Sequence, residues 1–299
     1  MSYESFRRNV QVQIIDRKDK VPISISSGAN ALVIPEDPFN EKLKIDFNIS
    51  LKSNSNSGAS YIELFNLNDE TQSFIKNINA EVKVLAGYGE TLSVIFDGNV
   101  TKVEVTRKNN NMVTRIELGT QLDILTAAYF SKTYKGRTKV KSIITDAIKT
   151  FSMPPQFLNV IPDKTVENFS WAGRTKDLMD SLLTPIEISW HHHLNAIRFS
   201  KKGIANNTNN IFIVTPENGL LDFPIKTDKG TIINMLFNAE IALNEFVEIQ
   251  MDAASLSLDG RKTNLFIQEL NGKYKVVDAV HKGSSYGGNM MTILDTVAL

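Results

Sequence analysis

The chain has 299 residues, and its 33 Lys plus Arg are balanced by 33 Asp plus Glu. Hydrophobic residues at 42% and charged residues at 22% make it too apolar for disorder, and the neutral balance excludes a protein whose main affinity is for nucleic-acid phosphates. With no cysteine, disulfides, thiolate metal sites, iron–sulfur clusters and cysteine nucleophiles are excluded as well. No apolar run approaches the roughly 18–20 residues of a membrane helix, so no stable membrane insertion is expected. Residues 1–8 have no apolar core behind Arg7 and Arg8, so no signal peptide is expected and synthesis is assigned to the cytosol. The length suggests about two domains, or one with an insertion.

The first third alternates with a period of two. Val10, Val12 and Ile14 alternate with Asn9, Gln11 and Gln13; Leu43, Ile45, Phe47, Ile49 and Leu51 alternate with Lys44, Asp46, Asn48 and Ser50. Each pattern predicts a strand with one buried face. After a turn over 53–60, residues 61–65 read as a further strand. Asp69, three residues before Gln72, has capping-box spacing and opens a short helix that buries Phe74, Ile75 and Ile78. Strands resume over 82–85, and a Gly87-Tyr88-Gly89 turn leads to 93–96. Asp97-Gly98 reads as a turn or bulge. Val103 and Val105 then alternate with polar residues, and an Asn109-Asn110-Asn111 turn leads to 112–118. Six or seven strands with one short helix predict an antiparallel barrel or sandwich.

The middle third changes character. Between 131 and 149 stand Lys132, Lys135, Arg137, Lys139, Lys141 and Lys149 against Asp146 alone. Val140, Ile143, Ile144, Ala147, Ile148 and Phe151 are spaced as the apolar stripe of a helix, which Thr138 is expected to cap and Met153-Pro154-Pro155 to end. A second helix is predicted from Thr175 through Leu178, Met179, Leu182 and Leu183, stopping before Pro185. A hairpin of 186–190 with 196–200 would close around a tip at 191–195. The last third returns to strands at 211–214, 232–237, 246–251, 264–270, 274–281 and 290–294, with Asn271-Gly272 as a hairpin signal. Asn is frequent, 28 in all, and its clusters at 109–111 and 206–210 read as loop tips. Glu240, Glu245, Glu248, Asp252 and Asp259 form an acidic stretch with no Lys or Arg, opposite in sign to the basic one.

No catalytic constellation emerges. Consecutive strand residues face alternate sides, so His191, His192 and His193 read as a solvated hairpin tip rather than a metal site. No Gly-x-Ser-x-Gly elbow occurs, and Gly87-Tyr88-Gly89 precedes a strand where a phosphate cradle would precede a helix. Glu63, Glu117, Glu187 and Asp222 sit where solvent-facing acids belong. Trp171 and Trp190 flank the second helix, Trp171 packing its start and Trp190 anchoring the hairpin. No catalytic, cofactor or metal residues are assigned.

Three segments together resemble a known family. The first is Ala86-Gly87-Tyr88-Gly89, then Ile95-Phe96-Asp97-Gly98-Asn99-Val100, Val103, Arg107 and Thr114-Arg115-Ile116-Glu117-Leu118. The second is Phe169-Ser170-Trp171-Ala172-Gly173, then Leu178 to Leu183 and Ile188-Ser189-Trp190. The third is Gly272-Lys273-Tyr274-Lys275-Val276-Val277-Asp278-Ala279-Val280-His281-Lys282-Gly283, with Gly288 and Met291-Thr292. This pattern is similar to that of bacteriophage baseplate hub proteins of the late-control-D and Mu-like class of contractile tails.

The resemblance implies a mainly β fold with an α+β insert: two tube-like antiparallel β-barrel or sandwich domains at 1–125 and 206–299, flanking a helix-hairpin module at 126–205. It further implies a structural, non-enzymatic homotrimer in the virion tail baseplate that adapts a sixfold tail tube to a threefold central spike. The expected partners are further copies of the chain, the tail tube protein, the spike, and tape-measure and wedge proteins. DNA would be met only in transit through the channel, and no cofactor is implied. A carbohydrate-binding or tail-tip adhesion β-protein is the alternative reading, and a hydrolase the third.

Overall fold

The computed structural model describes residues 7–16, 22–27, 43–52, 60–77, 80–119, 127–158, 160–194, 196–201, 204, 211–251 and 269–298. The chain divides into two compact units, Met1–Gly119 with Asn209–Leu299, and Thr120–Thr208.

The first unit starts with β1 (Arg8–Asp16), β2 (Pro22–Ser26), β3 (Ile45–Lys52), β4 (Ser60–Phe65), α1 (Asp69–Asn77), β5 (Ala80–Tyr88), β6 (Thr91–Lys108) and β7 (Asn111–Gly119). Period-two alternation buries Val10, Val12 and Ile14 of β1 and Ile45, Phe47 and Ile49 of β3 on one face. The cap of α1 is Asn68 rather than Asp69: the Asn68 Oδ1 accepts the Thr71 backbone N–H at 2.8 Å. Ile75 is buried and Phe74 half-buried, as their spacing predicts; Ile78 and the 53–59 turn lie outside the described residues.

The Asp97-Gly98 pair makes no turn. β6 runs through it because the strand changes partner there, pairing with β5 up to Asn99 and with β7 from Asn99 onward. Gly98 serves a close approach instead, since a Cβ there would lie 2.4 Å from the Gly119 carbonyl oxygen. The β5–β6 turn falls at Gly89-Glu90, with Gly89 at φ 61, one residue later than expected. Lys108 pairs with Asn111, and Asn109 takes φ 55 at the tip of that hairpin.

The second unit holds β8 (Tyr129–Lys139), α2 (Val140–Ile148), β9 (Pro155–Phe157), β10 (Thr165–Arg174), α3 (Thr175–Leu183), β11 (Ile188–His193) and β12 (Ala196–Lys201). Thr138 does not cap α2. It is still in β8, paired with Val166 of β10, and the chain enters the helix directly through Lys139, whose side chain makes no capping bond. The Val140 N–H is taken up by the Lys164 carbonyl at 2.8 Å instead. The predicted stripe is buried: Val140, Ile143, Ile144, Ala147 and Ile148 all face inward, with Phe151 just beyond. Ile144, Ile148 and Phe151 pack with Met179, Leu183, Ile188, Ile197 and Phe199. A second cluster under the β8/β10 ribbon joins Phe130, Ile143, Ala147 and Leu178.

The chain then returns to the first unit with β13 (Phe212–Val214), β14 (Ile225–Lys226), β15 (Thr231–Leu236), β16 (Phe246–Ile249), β17 (Gly272–Ser284) and β18 (Met291–Ala298). Residues 264–268 of the strand expected at 264–270 lie outside the described residues, as does the 206–210 cluster. One sheet of 13 strands carries the order β14-β15-β18-β17-β3-β4-β7-β6-β5-β1-β2, with β16 on β17 and β13 on β16. The seam between the early and late strands is β3 against β17, antiparallel from Lys52↔Asp278 to Asp46↔Ser284. Two apolar clusters lie along this sheet. One gathers Val10, Phe47, Ile62, Ile75, Val84, Phe96 and Ile116, with Phe237 and Met290. The other gathers Val214, Ile233, Met235, Val247, Ile249, Val276 and Leu294. Arg8 links the two ends of the chain, its Nη1 donating to the Gly287 carbonyl at 2.7 Å.

Candidate assembly surfaces

The three adjacent histidines belong to a strand. His193 pairs with Ala196, so the turn contains only Leu194, at φ 52, and residue 195, which lies outside the described residues. The histidines are therefore no solvated tip: His191 is buried and its neighbours half-buried. Burial, followed by the charges of Arg198, His191 and His192, pushes His193 down to about 3, and burial lowers His192 too. His281 is enclosed in the first unit, with Nδ1 2.9 Å from the Thr292 hydroxyl and the ring edge-on to Phe237; burial pushes it down to about 4. Among the described residues, no three His, Asp or Glu side chains gather as a metal would require.

The two tryptophans are used internally. Trp190 stacks on Phe151 with centroids 6.2 Å apart, and its Nε1 donates to Asp180 at 2.8 Å. Trp171 sits on β10 opposite Lys132 and packs on the Phe130–Leu178 cluster. Glu63, expected to face solvent, is nearly enclosed, because its Oε1 accepts Lys108 Nζ at 2.9 Å and Arg115 Nη1 at 3.3 Å. A carboxylate held by two cations is a structural anchor. Neither the alternation on β4 nor composition reveals it, since both cations arrive from β6 and β7.

Three of the six cations of the basic segment are held by carboxylates of their own unit. Asp146 on α2 accepts Lys132 at 2.7 Å, Lys149 at 3.0 Å and the Tyr134 hydroxyl at 2.9 Å. Those hydrogen bonds, from Lys132 first, hold its carboxyl well below the usual range, while burial and then the Asp146 bond push the Tyr134 phenol up. Lys139 pairs with Asp163 at 3.0 Å. In the acidic stretch, Glu245 accepts the Ala242 N–H and Glu248 accepts Gln250; Asp252 and Asp259 lie outside the described residues.

The large sheet turns one face to its apolar clusters, and the other face differs along its length. Across β3, β4, β7 and β6 that outward face is ion-paired: Lys44 with Asp46, Glu63 with Arg115 and Lys108, Lys102 with Glu104, and the Arg115 guanidinium 3.6 Å above the Tyr61 ring. Across β14, β15 and β18 it carries Ile225, Ile232, Leu236, Met291 and Ile293, with Lys226, Asn234 and Asp295 among them. These are surfaces for packing; an open cleft among the described residues, beside β16, is lined by Thr215, Glu217, Glu248, Gln250 and Asn271.

A family model described as "Baseplate hub gp41" matches residues 20–254. The chain belongs to this baseplate hub family. Solved structures agree on the fold of this hub chain. The 43 kDa tail protein of prophage MuSo2 from Shewanella oneidensis aligns with a TM-score of 0.55 at 7% identity, covering 96% of each chain. A tail protein from Neisseria meningitidis gives 0.57 at 6% identity, again over 96% of each. The Escherichia coli c3393 protein, a type VI secretion component described as similar to T4 tail proteins gp27 and gp5, gives 0.50 at 7% identity over 86% of this chain and 73% of its own. No curated protein matches the hub chain by sequence. The resemblance seen in sequence and the expected mainly β, antiparallel fold are therefore borne out, and the hub is a structural phage-tail component.

Proposed function

We propose that three copies of this hub chain form a closed ring in the tail baseplate, joining the sixfold tail tube to the threefold spike around the DNA channel. The observation that carries the reading is the long sheet with two separate apolar clusters, one at each end. Two tube-like β-domains per chain, at 1–125 and 206–299, give six in a trimer, the number a sixfold tube requires. The module at 126–205 has its own core and stands outside the channel wall. The ring acts mechanically: it holds register between unlike symmetries and transmits load through backbone ladders, with no bond made or broken. The functional residues are therefore interface strands. The partners are the tail tube and spike proteins, with tape-measure and wedge proteins beside them, and DNA only in passage. Copy counting in purified baseplates tests this, since three chains per particle in a ring are expected and a twofold dimer contradicts it.

A further inference from the structure

We propose that the free edge of β10, from Phe169 to Arg174, receives an extended acidic segment of another tail protein as a third strand of the β8/β10 ribbon. The site lies in the Thr120–Thr208 unit, and it stands whether or not three copies close a ring.

The phase of the ladder exposes this edge. The Thr175 N–H donates to the Ala128 carbonyl at 2.9 Å, so these two form a hydrogen-bonded pair. Every second pair back along an antiparallel ladder is then of the same kind: Gly173 with Phe130, Trp171 with Lys132, and Phe169 with Tyr134. The pairs between them, Ala172 with Ser131 and Ser170 with Thr133, exchange no backbone bonds. Ser170 and Ala172 therefore aim N–H and C=O away from β8, while Ser131 and Thr133 aim theirs away from β10. The ribbon has only these two strands, and Ser170 and Ala172 are both exposed. No other backbone group among the described residues bonds their outward N–H and C=O.

The two edges of the ribbon are protected differently. Lys135, Arg137 and Lys139 stand exposed along β8, and Gly136 bulges there at φ 71, its N–H taken by Asn168 Oδ1 at 2.9 Å. Cations and bulges are common guards against stray pairing. The same irregularity, with Asn168 at φ 49, sets the near limit of the open edge at Phe169. Between Glu167 and Arg174, β10 carries no charge and no proline, so strand addition meets no guard there. Trp171 adds a donor. Its Nε1 is enclosed without an acceptor among the described residues, a costly state. The indole lies along β10, since a Cβ on Gly173 would come within 3.3 Å of that nitrogen. An added strand brings its own carbonyls to this side.

Charge and alternation set the chemistry of the partner. Over 120–208 the chain has twelve Lys and Arg against seven Asp and Glu, and Arg174 stands exposed at the end of the edge. An acidic segment complements this balance, whereas a second copy of the same unit would bring more positive charge. Phe169 and Trp171 pack on the Phe130–Leu178 cluster while Ser170 and Ala172 face out. The added strand therefore alternates apolar residues beside the first pair with acidic or polar ones beside the second.

Hydrogen exchange on the wild-type chain, isolated and in purified baseplates, tests the edge. The Ser170 and Ala172 amides should exchange about tenfold or more slowly in baseplates than in the isolated chain, while those of Ser131 and Thr133 exchange alike in both. No slowing at Ser170 and Ala172, or equal slowing on both edges, overturns the proposal. The chain has no cysteine, so a single Ala172→Cys carrying a benzophenone maleimide identifies the occupant by the peptide it captures on irradiation of baseplates. An acidic segment of another tail protein is expected; a hub peptide, a basic segment or no capture overturns the assignment. Ser131 and Ala172 form a matched pair for proline, because each N–H points to its own edge. Ala172→Pro should lose the captured protein from baseplates by about tenfold or more, and Ser131→Pro should retain it, both prolines standing where an edge strand tolerates them. Equal retention or equal loss in the two variants overturns the proposal. Hub copy number in the same baseplates tests the ring separately from all of these outcomes.

Discussion

Replacing Ile144 by Asp should unfold the second unit and leave the first standing. Ile144 is fully buried on α2, among Ile148, Phe151, Met179, Leu183 and Phe199. Truncating a buried Ile costs about 2–5 kcal/mol from lost transfer and the cavity left behind. A carboxylate there adds the penalty of a buried polar group without a partner, about 2 kcal/mol or more even if it takes up a proton. The total approaches the roughly 5–15 kcal/mol that holds a whole domain. The apolar clusters of the two units share no residue, so the damage should stay local. Hydrogen exchange on the full-length chain is the assay: amides of α2, α3, β11 and β12 should lose protection while β3, β4 and β7 keep theirs. Wild-type protection in α2, or equal loss in both units, would refute the argument.

Three further outcomes are expected. His281 is lowered from 6.5 to about 4 by burial, so the unfolded chain binds the extra proton between those values; the first unit should keep full stability above pH 6.5 and lose about 3 kcal/mol by pH 4, and urea titrations of His281→Gln should lose that slope. Asp146→Asn should cost the second unit about 1–2 kcal/mol by weakening its bonds to Lys132, Lys149 and Tyr134; because its pKa is depressed, the wild-type advantage is present above the ordinary carboxylate range and fades as pH falls through it, which thermal melts at pH 7 and 3 would show. Gly87→Ala should cost ~3 kcal/mol or more, since its Cβ would meet the Thr91 carbonyl oxygen at 1.8 Å; unchanged melting would mean the β5–β6 turn opens without strain.

Much of the fold was legible where one face of an element is buried and the other is not. The alternation of 45–51 became β3, and the stripe from Val140 to Phe151 became α2 and its closing turn. The β8/β10 ribbon was missed because its lysines, threonines and serines lack a period-two contrast, and its pairing joins residues some thirty positions apart. Asp97-Gly98 carries a strong turn signal, yet β6 overrides it because the strand gains a new partner at that point. The histidines misled for a related reason: Leu194 accepts a left-handed backbone, so the turn is shorter than five residues and the ring side chains are drawn into the ladder. Glu63 shows the limit for the candidate surfaces, since its two cations come from strands whose order no local pattern encodes. The outward-facing Leu236 and Met291 are far apart in sequence, and only the register reveals that they adjoin.

The most direct test of the central claim is a symmetry-free reconstruction of the assembled baseplate, counting hub chains around the tail axis. The account predicts three copies in a closed head-to-tail ring, with both β-regions of each copy lining a channel wide enough for duplex DNA and the Thr120–Thr208 module outside it. A twofold dimer, an open arc, or a ring whose channel is walled by the Thr120–Thr208 module would contradict it.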